Sequence, residues 1–304
     1  MTLSALQGFK HCLAEHPSIV NFRWSITQTW GSTWFFIFSA IAIYIAASVT
    51  LHILLSLLLS RSRRVSLGPI PAIHSLTMAL ISAFIFIGIL FSTAAEIRDT
   101  RWFWPRTRTT TAFQWLLCFP LGTRSTGRVF FWSYAFYLSR FLHLFRTFFT
   151  ILQHRKLSFF TLFNQSILLF MSFLWLEFSQ SFQVLAILLT TLLYSLVYGY
   201  RFWTAIGLPR AHFRFVVNLQ VVLLGCNLLC HFGVLFLHFL KGGCNGMVAW
   251  GLNSVLNGVI LLLFLRFYVK LHLIKRKASM VSEFEGSYSL HVHSASEIRS
   301  EKAS

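Results

Sequence analysis

Charge is scarce in this chain, and negative charge most of all. Eight Asp and Glu stand against 26 Lys and Arg, and charged residues of both signs make up only 11% of the 304 positions. A water-soluble domain carries roughly a quarter. The opening MTLSALQGFKHCLAEHPS lacks a charged start followed by an apolar core. No cleavable signal peptide is therefore expected, and the first membrane helix is expected to direct insertion. None of the five cysteines forms a CxxC pair, which argues against a zinc centre, and no metal is expected. No run alternates apolar and polar residues as a barrel strand would. The net charge of +18 invites a nucleic-acid reading. Yet the basic residues lie mostly between apolar blocks, and no basic, aromatic-studded soluble module is left over to grip one.

Long apolar blocks are what is there. Apolar residues reach 56%, with 34 phenylalanines. About seven blocks are long enough to cross a bilayer: 33–60, 70–94, 129–153, 157–178, 181–203, 213–240 and 247–272. Backbone in lipid must satisfy its own hydrogen bonds, so these are predicted to be helices, giving an all-α polytopic membrane protein. An amphipathic start precedes them, and a basic loop from Glu96 to Arg128 interrupts them. The organisation expected is a seven-helix membrane domain over 1–277 and a Ser-rich tail over 278–304. That tail has too little apolar surface to fold and is predicted to be disordered.

An odd number of crossings puts the termini on opposite sides. Arg61, Arg63, Arg64, Arg155, Lys156, Arg201, Arg210, Arg214 and the four basic residues from Lys270 to Lys277 share the carboxyl-terminal side. They outnumber those on the other side, so the positive-inside rule predicts a cytosolic carboxyl terminus. The loop from Glu96 to Arg128 pulls the other way. This topology places Cys118 and Cys244 together on the extracytosolic side, where thiols can pair. Two unrelated small apolar residues remain the alternative.

Polar groups at membrane depth are costly and usually face a bundle interior or a cavity. Three helices carry them. Arg140, His143, Arg146 and Thr147 fall within ~120° of arc at 100° per residue. Two guanidiniums and an imidazole on one face suit an anion such as a carboxylate or phosphate. The alternative is snorkelling toward headgroups. Thr161, Asn164 and Gln165 share a second face, as a cavity wall or as interhelical glue. Thr190, Tyr194, Tyr198 and Arg201 form a third stripe, where tyrosines serve either a cavity or an interfacial belt.

Taken in order, EHPSIVNFRW, GST at 31–33, HSL at 74–76, CFPLG at 118–122, VFFWSYAFYLSR, LSF at 157–159, YGY at 198–200, NLQVV around Gln220 and GGCNG resemble the ELO family. These are the endoplasmic-reticulum fatty-acid elongases, and the likeness is to the plant-type branch. The resemblance implies seven helices enclosing a narrow acyl tunnel. It also implies condensation of malonyl-CoA with a long acyl-CoA to give 3-oxoacyl-CoA and CO₂, with no cofactor. The family's H-x-x-H-H box falls on TLFNQ, so Thr161, Asn164 and Gln165 occupy its three histidine positions. Its lysine, glutamate and aspartate ahead of the box fall on Arg140, His143 and Arg146, and a further histidine falls on Tyr194. The Asp after CFPL falls on Gly122. Thr147, Tyr198, Tyr200 and Gln220 keep the family residue.

The resemblance implies that, in the family's enzymes, a box histidine takes the acyl group. An imidazole can attack a thioester and leave again; an amide cannot. The expected function is that of an ELO-like protein of very-long-chain fatty-acid elongation, catalytically impaired. It would bind acyl-CoA or another membrane lipid, or regulate an active elongase or its complex. The expected binding residues are Arg140, His143, Arg146, Thr161, Asn164, Gln165, Tyr194, Tyr198 and Gln220. One alternative is an active 3-oxoacyl-CoA synthase using His143; another is an unrelated seven-helix receptor or transporter. The resemblance also implies a multi-pass protein of the endoplasmic-reticulum membrane. With the charge bias, this makes the amino terminus lumenal.

Overall fold

The computed structural model describes residues 8, 11–58, 68–100, 112–153, 157–207 and 213–263, with 265, 266, 269 and 273 beyond them. The side chains of Gln220, Lys241 and several other helical residues also lie outside the described set, as do the basic stretches 59–67, 101–111, 154–156 and 208–212 and the 278–304 tail. The chain divides into a compact unit of 1–255 and a second unit beginning at Leu256.

Among the described residues, seven long helices occupy the seven apolar blocks: α1 Trp34–Leu58, α2 Ile70–Thr100, α3 Arg128–Leu152, α4 Phe159–Glu177, α5 Gln183–Ala205 and α6 Phe213–Lys241, then α7 Met247–Leu263. Among the described residues, five are long and apolar enough to cross a membrane: α1, α2, α4, α5 and the Val221–Leu240 part of α6. The shorter α7 is apolar as well. The remaining long helix, α3, carries the polar face.

α1 is apolar all round and mostly unburied; Phe35 and Leu57 are 83% and 78% exposed, as suits a lipid-facing helix. α3 is built the other way. Ser133, Ser139, Arg140, His143 and Thr147 are buried, while Leu142 and Phe145 face outward. That inversion of the soluble pattern fits a helix whose outer surroundings are hydrocarbon. α3 packs against α1, α2, α4 and α5, which makes it the centre of the bundle. α2 lies along both α3 and α5. Its approach to α3 depends on Gly88, where a Cβ would fall 2.3–2.5 Å from the Trp132 indole.

The loop predicted to begin at Glu96 begins later. α2 runs on through Thr100 because Glu96 and Asp99, one turn apart, both hold Arg128 at the start of α3, at 3.6 and 3.0 Å. The amphipathic start folds as a π-helical turn, His11–Glu15, and a one-turn helix, Pro17–Val20. It docks through the Leu13 carbonyl, which accepts from the Trp132 indole (3.0 Å) and the Ser92 hydroxyl (3.3 Å).

At that same end the GGCNG stretch ties three loops together. Cys118 and Cys244 form a disulfide, with Cα atoms 5.2 Å apart. The Asn245 N–H donates to the Phe119 carbonyl (2.9 Å), and its carbonyl accepts from the Ser181 N–H (3.1 Å). Its side-chain amide donates to the carbonyls of Thr123, Phe178 and Ser179. Gly246 has φ +68° and leaves no room for a Cβ, which would sit 2.8 Å from the Gln180 Cα and the Phe178 oxygen. Within the first unit, α1 to α6 run alternately up and down, so the second half of α3, the starts of α2 and α4 and the close of α5 gather at the opposite end.

Candidate functional site

The site grows from that opposite end of α3. Helical spacing puts Arg140 one turn before His143, and the antiparallel α2 and parallel α5 bring other side chains to them. Arg140 is 2% exposed and His143 1%. The Arg140 Nη2 lies 3.0 Å from His143 Nε2, and His143 Nδ1 lies 2.7 Å from the Tyr198 hydroxyl. A guanidinium has donors and no acceptor. The Arg140 contact therefore requires a lone pair on Nε2, and the geometry assigns the imidazole proton to Nδ1, which donates to the Tyr198 oxygen. Both ring nitrogens are engaged.

Aromatic faces enclose the guanidinium. Its carbon lies 4.2 Å from the Phe136 ring centroid and 4.6 Å from that of Tyr194, within cation–π range. The Tyr194 ring also packs on His143 at 4.8 Å and on Tyr198 at 6.0 Å. Two of Arg140's donor groups, Nε and Nη1, are buried and have no hydrogen-bond partner among the described residues.

Further out, Arg146 is half-buried and lies within electrostatic reach of His74, His143 and Arg201. The Arg201 guanidinium lies over the Tyr198 ring at 5.5 Å. His74, from the start of α2, places Nε2 3.1 Å from the Leu142 carbonyl. Thr147 bonds Tyr44 of α1, oxygen to oxygen at 2.7 Å.

The structure thus brings Arg140, His143, Tyr194 and Tyr198 into direct contact and puts Arg146 beside them. Thr161, Asn164 and Gln165 stand on the opening turns of α4, which packs on α3. Gln165 is buried and the other two are half-buried. Among the described residues, their side chains have no hydrogen-bond partner and make no hydrogen bond to the Arg140 set. Gln220 lies on α6, but its side chain is outside the described residues. Cys118 and Cys244 are joined at the far end of the bundle, near an open polar cavity of about 950 Å³ lined by Arg23, Arg124, Glu177 and hydroxyl groups. Among the described residues, no group of three His, Cys, Asp or Glu could hold a metal ion.

Sequence reasoning missed Phe136, Tyr44, His74 and Arg201 as site residues. Phe136 had a signal: it stands four residues before Arg140, on the same face. Arg201 lay on the recognised α5 stripe. Tyr44 and His74 sit on other helices, and only packing shows that they converge.

The ELO family model, described as GNS1/SUR4, matches residues 29–280. An Arabidopsis thaliana protein described as "Fatty acid elongase 3-like" is 63% identical over 273 residues, covering 90% of this chain and 94% of that protein. A Dictyostelium discoideum protein, "Fatty acid elongase sre1", is 22% identical over 215 residues, covering 70% and 74%. With a family match across nearly all of its helical span and a close full-length relative, this chain belongs to the ELO family.

Proposed function

We propose that this ELO-family protein binds acyl-CoA or a related lipid within very-long-chain fatty-acid elongation, and does so without the family's ordinary condensation step. Fatty-acid elongation and acyl-CoA and lipid substrates come with the family. The impairment is read from the residues. Thr161, Asn164 and Gln165 carry no imidazole, amides do not titrate, and a lone threonine needs an activating base.

The observation that carries the reading is the state of His143. It is the obvious substitute nucleophile, yet its Nε2 lone pair faces Arg140 and its Nδ1 proton faces Tyr198. An attack on a thioester carbonyl requires a free lone pair. Neither nitrogen supplies one without breaking a buried contact to a cation or to a fully buried tyrosine. Arg140 and Arg146 suit the anionic end of a bound lipid, and Asn164 and Gln165 suit a carbonyl. An active elongase is the natural partner for such a binding or regulatory homologue.

A location in the endoplasmic-reticulum membrane, with a lumenal amino terminus, is part of the same proposal. The disulfide end holds the loops that this orientation places in the lumen, an oxidising compartment where a bridge persists.

The test is direct. Purified full-length protein receives malonyl-CoA with a range of long-chain acyl-CoAs, and 3-oxoacyl-CoA is measured beside acyl-CoA binding. Binding without product supports the reading. Product that disappears in His143→Ala overturns it in favour of an active synthase.

A further inference from the structure

The charge around Arg140 does not balance. The chain's eight acidic residues are Glu15, Glu96, Asp99, Glu177 and four beyond Lys277. The first four all stand at the disulfide end. There Glu96 and Asp99 hold Arg128, Glu15 meets Arg98, and Glu177 accepts from the Trp24 indole. None comes from the second half of α3, the starts of α2 and α4, or the close of α5. That end carries Arg140, Arg146 and Arg201 instead.

Arg140 is the acute case. The residue is 2% exposed, its guanidinium touches one imidazole and two aromatic faces, and Nε and Nη1 have no acceptor among the described residues. A buried cation without an anion is expensive, and aromatic faces offset only part of the cost. His143 adds no negative charge, because its Nε2 serves only as a lone-pair acceptor. Among the described residues no acidic side chain meets Arg140, so its partner is an anion supplied from outside them.

We infer that this anion is the carboxylate of an unesterified long-chain fatty acid, held by Arg140 with its alkyl chain among the apolar side chains of the bundle. The inference rests on the lipid-binding reading above and narrows it. A thioester carbonyl is uncharged at the carbon that the family's chemistry addresses, and the phosphates of CoA lie at the far end of a long arm. Neither neutralises a guanidinium enclosed by Phe136 and Tyr194. A carboxylate brings one negative charge and two acceptor oxygens against one positive charge and two open donor groups. A phosphate monoester brings up to two charges into a pocket with one enclosed cation, and its further desolvation has no matching return.

The experiment compares four probes of equal chain length on the purified, delipidated full-length protein. These are palmitic acid, its methyl ester, palmitoyl-CoA and the lysophosphatidic acid. The ester keeps the chain and the carbonyl but loses the charge. The expected result is that the acid binds at least about thirtyfold tighter than the ester, the usual penalty for losing one partner of a buried charge pair. Arg140→Gln is expected to abolish that preference and Arg140→Lys to restore part of it. Native mass spectrometry is expected to find fatty acid on the protein before delipidation.

Equal affinity for acid and ester overturns the inference whether or not the variants fold. So does a preference for the lysophosphatidic acid. Tight binding of palmitoyl-CoA with no binding of the acid removes the inference and leaves the proposed function standing. Failure of all four to bind removes both.

Discussion

Replacing Tyr198 with phenylalanine deletes one oxygen atom from the interior of the bundle. That oxygen accepts from His143 Nδ1 at 2.7 Å. Tyr198 and His143 are each 1% exposed, so water does not readily take its place. Side-chain hydrogen bonds between membrane helices average only ~0.6 kcal/mol, because chains unfolded in the bilayer also find partners. Stranding a buried donor costs more, about 1–3 kcal/mol. Here the stranded N–H belongs to a ring already fixed by a cation on its other nitrogen, so it cannot turn to a new acceptor without breaking that contact. About 1–2 kcal/mol is therefore expected. At ~2–4 °C per kcal/mol for a chain of roughly this size, this lowers Tm in detergent by several degrees. Tyr194 supplies the control. Its ring packs on Arg140 and His143, but among the described residues its hydroxyl has no hydrogen-bond partner. Tyr194→Phe is expected to cost less than about 0.5 kcal/mol. Thermal unfolding of the two variants side by side decides the matter. A Tyr198→Phe protein as stable as the parent, or equal losses in both, would refute the assigned network.

Other outcomes follow from the same structure. Nitrogen NMR of ¹⁵N-histidine-labelled protein is expected to show His143 protonated at Nδ1 and bare at Nε2; the reverse tautomer would contradict the Arg140 contact. Gly88→Ala drives a methyl group into the Trp132 ring and is expected to cost about 1–3 kcal/mol by overpacking. A Tm within a degree of the parent would show that α2 and α3 can part cheaply. Non-reducing peptide mapping is expected to recover a linked Cys118–Cys244 peptide, and two free thiols would remove the staple. The bridge closes a loop of 126 residues, for which chain entropy alone sets a ceiling of about 5 kcal/mol. Cys118→Ser is expected to cost about 2–3 kcal/mol, less than that ceiling because membrane helices stay confined to the bilayer after they separate.

Much of the architecture was legible before the structure. Apolar length alone marked out the seven helices, since lipid leaves a spanning backbone few options. The 100° period placed Arg140, His143 and Thr147 on one face, and all three are buried. Tyr194, judged deeper than an interfacial belt residue, packs directly on the Arg140 guanidinium. The loop boundary at Glu96 was set too early, because an ion pair to Arg128 continues α2 past the end of the apolar run. What the sequence could not yield was pairing across helices. His143 and Tyr198 are 55 residues apart, and no periodicity links them. Nor could spacing show that α3 packs against four other helices, which is why Arg140 is enclosed instead of snorkelling, while Arg146 stays half-buried. Nor could it show that both ring nitrogens of His143, a binding residue in the main reading and a nucleophile in the alternative, are engaged by Arg140 and Tyr198.

The central proposal is that this ELO-family protein binds its lipid ligand but has no side chain free to accept an acyl group. Intact-protein mass spectrometry after incubation with a long-chain acyl-CoA tests it most directly, with acid quenching to preserve any acyl-imidazole. The account predicts an unmodified mass even when acyl-CoA binding is saturated. A mass increase of one acyl group, mapped by peptide sequencing to His143, would contradict it.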